Sequence, residues 1–186
     1  MRGLNGRVVT IAAVLCVAQA PAPARANDSN AALALRLVSV MGVDLQMALG
    51  VRSIGEQMYR TGQLDEIQRN CLRSVDKAAF TELLQESATR ELNASELRAA
   101  IDYFESDAGK KDLWIAEYRR SVARAAELGL RMPDFTPAEY DAMRAFGASP
   151  VGVKLLSRGV LTQSQPATDG IVRKTRQLIG SCKGGR

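Results

Sequence analysis

The chain has 186 residues, with 25 Lys and Arg against 20 Asp and Glu, and it contains no histidine. The missing histidine excludes Ser-His-Asp and Cys-His nucleophilic sites and the usual zinc ligand sets. Gly-rich phosphate loops are also absent, so the sequence assigns no catalytic residue, no metal and no cofactor.

The first 26 residues have the pattern of a secretory signal peptide. Two arginines precede the apolar run Val8 to Ala20, and Ala24-Arg25-Ala26 is a small-x-small cleavage site. Removal of this leader takes three of the 25 basic residues and no acid, so residues 27–186 carry 22 minus 20, or +2. We therefore expect a periplasmic or secreted protein that binds no nucleic acid and makes at most peripheral contact with a membrane.

Residues 27–91 are predicted to form a group of N-terminal helices. Ala31 to Met41 is a helix candidate that Gly42 ends, and Thr61-Gly62 marks a turn. Apolar side chains recur at helical spacing in two further stretches, Met47, Val51, Ile54 and Met58, and then Leu64, Ile67, Cys71 and Val75. No segment has the pattern of a strand, so the prediction is an all-α, single-domain helical bundle.

A segment of the second half occurs twice, 43 residues apart. The first copy is Leu92 to Leu113 and the second is Phe135 to Leu156. Six of the 22 paired positions are identical, where unrelated segments would match at roughly one or two. The identical pairs are Glu96/Glu139, Ala99/Ala142, Ser106/Ser149, Gly109/Gly152, Lys111/Lys154 and Leu113/Leu156. Self-similarity at a fixed period marks a repeated supersecondary unit.

Each copy has the pattern of two consecutive helix starts. It opens with Asn or Thr three residues before a Glu, which predicts a capping box, and a capping Ser follows further on. The four residues predicted to begin separate helices are Asn93, Ser106, Thr136 and Ser149. Gly109 and Gly152 fall in the first turn of the second helix, where a missing side chain lets a neighbouring helix approach closely. We predict two helical hairpins, over 92–131 and 135–163, followed by a C-terminal helix and basic tail over 164–186.

The run Tyr103 to Lys111 resembles the aromatic-aromatic-x-Ser-Pro-x-Gly-x-Lys signature of the domain-of-unknown-function 2059 family, whose members are exported helical proteins of bacteria. Ser149 to Leu156 resembles a second copy of that signature. The first copy has Asp107 in place of the proline, and the second has Gly147 in place of an aromatic residue. The resemblance implies an exported all-helical protein. Because the family has no assigned activity, it implies no catalytic residue.

Lys111 and Lys154 are duplicated although neither capping nor apolar periodicity requires a lysine at these positions. Glu96 and Glu139, by contrast, are explained by the capping pattern. We expect the two lysines at equivalent exposed positions related by a pseudo-twofold or screw operation, where they could hold an anionic ligand. The alternative is a pair of solvated lysines whose stems cover apolar surface.

Cys71 and Cys182 are predicted to form a disulfide. Cleavage of the leader removes Cys16 and leaves an even pair in an oxidising compartment. Cys71 shares an apolar stripe with Leu64 and Ile67, so we expect it to face the core. By the chain-entropy estimate, closing a loop of 111 residues stabilises the fold by up to about 4–5 kcal/mol.

The C-terminal stretch Asp169 to Arg186 has five basic residues and one acid. Such a stretch is attracted weakly to an anionic membrane surface or polymer, or forms a solvated face whose cations complement the helix dipole. Both interpretations are compatible with this sequence.

Together these patterns favour an exported binding or structural module of the cell envelope over an enzyme, with an unknown envelope protein or an anionic polymer as its partner. One alternative is a carboxylate-dependent hydrolase or transglycosylase of an envelope polymer, which needs a buried acid in a cleft that faces a second acid. Glu86 is the acid we weigh for that role, although its place in a run of helical spacing favours a solvated side chain. The other alternative is a peripheral factor that associates with membranes through the C-terminal basic stretch.

Overall fold

The fold was analysed in a computed structural model, which describes residues 29–120 and 132–184. Within these two ranges the chain forms nine α-helices and no strand, so the all-α prediction is confirmed. The predicted signal peptide and the last two residues of the basic tail lie outside the described residues.

Four helices form the N-terminal group: α1 (Asn30–Met41), α2 (Val43–Arg60), α3 (Glu66–Arg73) and α4 (Ala78–Glu91). Gly42 ends α1 as predicted, with a φ of 62° that favours glycine, and the chain bends there by 54° into α2. A second glycine with positive φ, Gly62 at 72°, makes the turn that follows α2.

The repeated segments form the next four helices: α5 (Ala94–Glu105), α6 (Asp107–Arg120), α7 (Pro137–Ala148) and α8 (Pro150–Gly152). α8 continues as a π-helical turn over Val153–Ser157, and the last helix is α9 (Gln165–Gly184). We call α5 with α6 hairpin 1, and α7 with α8 and its π-helical turn hairpin 2. The four predicted caps are all observed, because Asn93 and Thr136 close capping boxes and the hydroxyls of Ser106 and Ser149 accept from backbone amides of α6 and α8.

Buried side chains form two clusters that meet at α1. The first, which we call the hairpin cluster, joins α1 and the end of α4 to both hairpins through Leu33, Leu37, Leu92, Leu97, Ile101, Phe104, Phe146 and Leu155. The second, which we call the N-terminal cluster, joins α2, α3 and α4 through Val38, Val51, Leu72, Phe80 and Leu84, and α9 packs against it. α1 and α4 therefore connect the two halves of the fold.

The buried stripe of α2 differs from the one that the apolar spacing predicts. The buried residues of α2 are Asp44, Ala48, Val51 and Gly55, so Val51 is the one member of the predicted set among them. Ile54 is 40% exposed, and Met47 and Met58 lie half-buried at the edge of the N-terminal cluster. A Cβ on Gly55 would lie 2.9 Å from Cβ of Leu72, so this glycine allows α3 to pack closely.

The disulfide between Cys71 and Cys182 is present and joins α3 to α9, with the Cα atoms 5.7 Å apart. The predicted location in the core is wrong for Cys71, which is exposed, as is Ile67 on the same stripe at 77%. Cys182 is half-buried and packs against the N-terminal cluster. The buried residue of α3 is Leu72. The bond therefore fastens the last helix from the surface side of α3.

Among the described helices, no single one is both long and apolar enough to cross a membrane. The bent pair α1–α2 meets that test only through its combined length and composition. In the fold, Leu33 and Leu37 of α1 are buried in the hairpin cluster.

Candidate functional site

The turn inside hairpin 1 is held by the residues that the repeat preserves. The carbonyl of Tyr103 accepts hydrogen bonds from the hydroxyl and the amide of Ser106, at 2.6 and 3.0 Å. The same hydroxyl accepts from the amide of Gly109 at 3.2 Å, which caps α6. One serine thus ends the first helix and begins the second.

Hairpin 2 repeats this arrangement with its own residues. The carbonyl of Phe146 accepts from the hydroxyl and the amide of Ser149, at 2.6 and 3.0 Å, and the Ser149 hydroxyl accepts from the amide of Gly152 at 3.1 Å. A Cβ on Gly109 would collide with the carbonyl of Tyr103, and one on Gly152 with the carbonyl of Phe146. The expected close approach is therefore to the preceding helix of the same hairpin.

The two duplicated lysines each bind the other copy of the repeat. Nζ of Lys111, in hairpin 1, lies 2.7 Å from both carboxylate oxygens of Glu139 in hairpin 2 and donates to the carbonyl of Asp134 at 2.8 Å. Nζ of Lys154, in hairpin 2, lies 2.8 Å from the carboxylate of Glu96. It also donates to the carbonyl of Glu91 at 3.1 Å.

These two sets of partners are equivalent in the repeat. Glu96 precedes Glu139 by 43 residues, and Glu91 precedes Asp134 by the same 43. Each lysine therefore binds the capping glutamate of the opposite hairpin and the carbonyl just before that cap. Such reciprocal contacts are the property of an isologous interface, which a twofold axis generates.

The axis is marked by two aromatic rings at equivalent positions. Tyr103 and Phe146 stack on one another, with ring centroids 3.8 Å apart and planes at 8°. Equivalent residues can contact each other in this way only close to a twofold axis. The Tyr103 hydroxyl donates to Asp112 at 2.9 Å. Burial is the main cause that raises the pKa of this phenol, and the hydrogen bond to the Asp112 carboxylate is the second.

The geometry changes the interpretation of the duplicated charges. The predicted equivalence of Lys111 and Lys154 is present, but their predicted exposure is wrong, since their side chains are 30% and 32% exposed. The pKa of Glu96 is lowered mainly by the hydrogen bond from Lys154 and next by the one from the Asn93 amide. The pKa of Glu139 is lowered in the same way, mainly by Lys111 and next by the Thr136 amide. An anion bound at Lys111 would compete with the Glu139 carboxylate, and one at Lys154 with the Glu96 carboxylate. The anionic ligand at Lys111 and Lys154 stays a prediction.

This lysine contact is what the sequence analysis missed. Within one copy, capping explains the glutamates and no feature explains the lysines, so the spacing inside a copy gives no reason to pair them. The available signal was that residues of opposite charge are both duplicated at the same period. In a twofold-related repeat, such a pair can be satisfied twice by exchange between the copies.

Glu86, the acid considered for a glycosidase reaction, does not lie in a buried cleft. Glu86 is exposed and lies with Glu82 and Arg90 along an open groove on α4. The buried acid is Asp44, 3% exposed, whose oxygens accept from the Leu45 amide at 2.8 Å and the Thr81 hydroxyl at 2.9 Å. No three His, Cys, Asp or Glu side chains of the described ranges are grouped to hold a metal ion.

The outer face of α9 carries the basic residues of the C-terminal stretch. Arg173, Arg176 and Lys183 are exposed, and Lys174 is half-buried. Asp169 is the last acid of the helix. None of these four cations is ion-paired with another described residue. This helix therefore presents positive charge to the solvent, in contrast to the paired lysines of the hairpins.

Comparisons with protein-family models, with curated proteins and with solved structures give no significant match to this chain.

Proposed function

We propose that this protein is an exported binding module of the cell envelope, and that the basic outer face of α9 binds an extended anionic polymer. The observation that carries the proposal is a row of exposed cations, none ion-paired with a described residue, on a helix whose end is covalently fastened to α3. Cations held on an ordered helix bind a polyanion without first ordering the chain, which lowers the entropic cost of binding.

The shape of this face favours a polymer over a folded protein surface. Arg173 and Lys183 are ten residues apart, which places them about 15 Å apart along the helix axis. The large apolar residue exposed beside them is Val172, at 40%. Protein interfaces need a larger apolar centre than one valine, and an amphipathic membrane helix needs a broad apolar face.

The proposed export is supported by three features. The leader has the order of basic, apolar and small residues that signal peptidases recognise. The disulfide between Cys71 and Cys182 is compatible with a periplasmic or extracellular location, where such bonds persist. The resemblance of the hairpins to exported helical proteins points to the same compartment. Intact-mass analysis of secreted protein should show a chain that begins near Asn27 and has no free thiol.

The hydrolase alternative has weaker support. Its candidate acid, Glu86, is exposed along an open groove on α4, whereas the proton-donating acid of such an enzyme lies in buried, apolar surroundings. Ser87 beside it is fully buried and donates to the carbonyl of Val160 at 3.2 Å, which is a packing contact between α4 and the segment after hairpin 2. No observation therefore favours the enzyme over the binding module.

A charge-neutralised variant tests the binding face. We would replace Arg173, Arg176 and Lys183 together by Gln and measure binding to poly-L-glutamate in low salt, with neutral dextran as the polymer control. The matched variant replaces the exposed Arg60, Arg90 and Arg98 by Gln, which removes the same charge from three other helices. Loss of binding in the first variant alone is the expected result. Equal weakening in both variants would show that net charge, and not α9, attracts the polymer.

A further inference from the structure

Packing holds the two halves of α9 to different degrees. Near its start, Ala167 and Gly170 are buried, and a Cβ on Gly170 would lie 2.5 Å from Cδ1 of Leu83 on α4. Further along, Leu178 and Ile179 are only partly buried against the N-terminal cluster. The contacts that keep this helix in place therefore weaken towards its C-terminal end.

The last turn of α9, residues 180–184, depends on the disulfide for its place in the fold. Within this range Cys182 is the one residue that is not exposed. Gly180, at the start of the turn, has a low propensity to stay helical, and a Cβ there would meet no atom within 4 Å. The bond from Cys182 to Cys71 is thus what fastens this turn to α3.

The disulfide is also accessible to thiols in the solvent. Cys71 is exposed on the surface side of α3, whereas Cys182 is half-buried. Thiol–disulfide exchange requires that a thiolate reach one of the two sulfur atoms, and exposed disulfides are the labile or regulatory class. Cys71 is therefore the half of the bond that an incoming thiolate contacts.

Reduction of this bond needs a dithiol as the co-reactant, and the chemical class that supplies it is a thiol reductase. One thiolate of the reductase attacks Sγ of Cys71, a mixed disulfide forms, and Sγ of Cys182 leaves and takes up a proton. The second thiol of the reductase then displaces Sγ of Cys71, which is protonated in turn. Two electrons have passed to the chain, which now has two thiols, while the reductase holds the disulfide.

The turn that the disulfide fastens carries one cation of the basic outer face of α9. Lys183 directly follows Cys182 and is exposed, as are Arg173 and Arg176. While the bond is closed, Lys183 is held about 15 Å from Arg173 along the helix axis. Once the turn unwinds, a bound polymer must order it again, and the entropic cost of that ordering weakens binding.

We propose that the bond between Cys71 and Cys182 is a redox switch for the last turn of α9. Its reduction by a dithiol unwinds residues 180–184 and lowers the affinity of the basic face for the anionic polymer. The first half of α9 stays packed on α4 through Ala167 and Gly170. The change in affinity rests on the proposed function, whereas the unwinding does not.

Hydrogen exchange followed by mass spectrometry tests the unwinding. The mature chain is compared in its oxidised form and after reduction by dithiothreitol, with the two thiols counted by titration. Amides of residues 180–184 should exchange about tenfold faster or more after reduction, because their helical hydrogen bonds open. Amides of α5, which is buried in the hairpin cluster, should exchange as slowly as before.

A helix-favouring substitution sharpens this test. Gly180→Ala should slow the exchange of residues 180–184 in the reduced chain about fivefold, because alanine favours the helix and its Cβ has space. Gly50→Ala is the matched control, since a Cβ there also meets no atom within 4 Å and the site lies on α2. This control should leave the exchange of the last turn unchanged.

Binding to poly-L-glutamate in low salt tests the consequence for function. Reduction should weaken binding by the unmodified chain about threefold or more, since the last turn is no longer ordered beforehand. Lys183→Gln should weaken binding by the oxidised chain to a similar extent, and its remaining affinity should not change on reduction. Circular dichroism confirms that each form keeps its helices.

The outcomes separate the switch from the proposed function. If the oxidised chain does not bind poly-L-glutamate, the proposed function fails, and hydrogen exchange still decides the unwinding. If the oxidised chain binds and reduction leaves its affinity unchanged, the switch is wrong. The switch is also wrong if residues 180–184 exchange no faster after reduction, if Gly180→Ala does not slow their exchange, or if α5 loses its protection together with them.

Discussion

Hairpin 1 and hairpin 2 share a turn, a capping box and a lysine contact, yet one is central to the fold and the other lies at its edge. α5 buries five residues, whereas α7 buries Phe146 alone among its described residues. The hydrogen bonds of the two turns agree to within 0.1 Å. The serine, the glycine and the backbone carbonyl of the aromatic residue therefore determine the structure of each turn. The neighbouring helices determine how much of each hairpin is buried.

The largest expected difference between the hairpins lies in this unequal burial. Leu97→Ala removes a fully buried side chain beneath α1 and should lower the free energy of unfolding by about 2–5 kcal/mol. Tyr140→Ala at the equivalent position should cost less than about 1 kcal/mol, because that side chain is 54% exposed. Urea unfolding of both variants measures this difference. Similar losses would mean that hairpin 2 is covered in solution.

The next effect concerns the turns, where the hairpins are alike. Gly109→Ala and Gly152→Ala each place a Cβ against a carbonyl of the preceding helix, and should each cost about 1–3 kcal/mol. The loss should be larger for Gly109, because α5, the preceding helix in hairpin 1, is packed on α1 and cannot shift as freely. Thermal unfolding followed by circular dichroism provides the comparison. A neutral Gly152→Ala would show that the turn of hairpin 2 tolerates a wider approach.

A smaller effect should appear on acidification and should be shared by both hairpins. The pKa values of Glu96 and Glu139 are lowered from 4.5 in the folded state, so the stability that their ionised forms contribute is present above about pH 4.5. It is lost as the pH falls through the folded pKa values. Glu96→Gln and Glu139→Gln should each flatten the decline of the thermal midpoint below pH 4.5. A profile identical to that of the unmodified protein would show that the carboxylates are not linked to folding.

Much of the local structure was predictable from the sequence, because caps and turn glycines act through residues three or four positions apart. Asn93 and Thr136 begin helices as their patterns predict. The stripe of α2 was placed wrongly because apolar residues lie on several of its faces, and Leu45, Leu49 and Ile54 are all about 40% exposed. Periodicity alone cannot choose between such faces.

The unequal burial of the two hairpins is visible in the sequence when the two copies of the repeat are aligned. Leu97 and Ile101 of the first copy correspond to Tyr140 and Arg144 of the second, so apolar residues are exchanged for amphipathic and charged ones. The identity of the covering helix was not predictable, because α1 is separated from α5 by more than 50 residues and no local pattern connects them.

The disulfide pairing was predictable from the cysteine count, but its surroundings were not. Cys71 and Cys182 are the two cysteines left after removal of the leader. The side of α3 that faces the core depends on Leu72, whose neighbour Gly55 lies on a different helix. Such a contact between helices is not visible in the spacing of α3 itself.

The reciprocal exchange of Lys111 and Lys154 between the hairpins is the central claim, and double-mutant cycles test it most directly. The cycles combine Lys111→Met with Glu139→Gln and Lys154→Met with Glu96→Gln, while Lys111→Met with Glu96→Gln is the control within one copy. Each single lysine variant should lower the thermal midpoint by about 2–4 °C. The account predicts a stabilising coupling in both cross-copy cycles and additive effects in the control. Additivity in the cross-copy cycles, or coupling of Lys111 to Glu96, would contradict it.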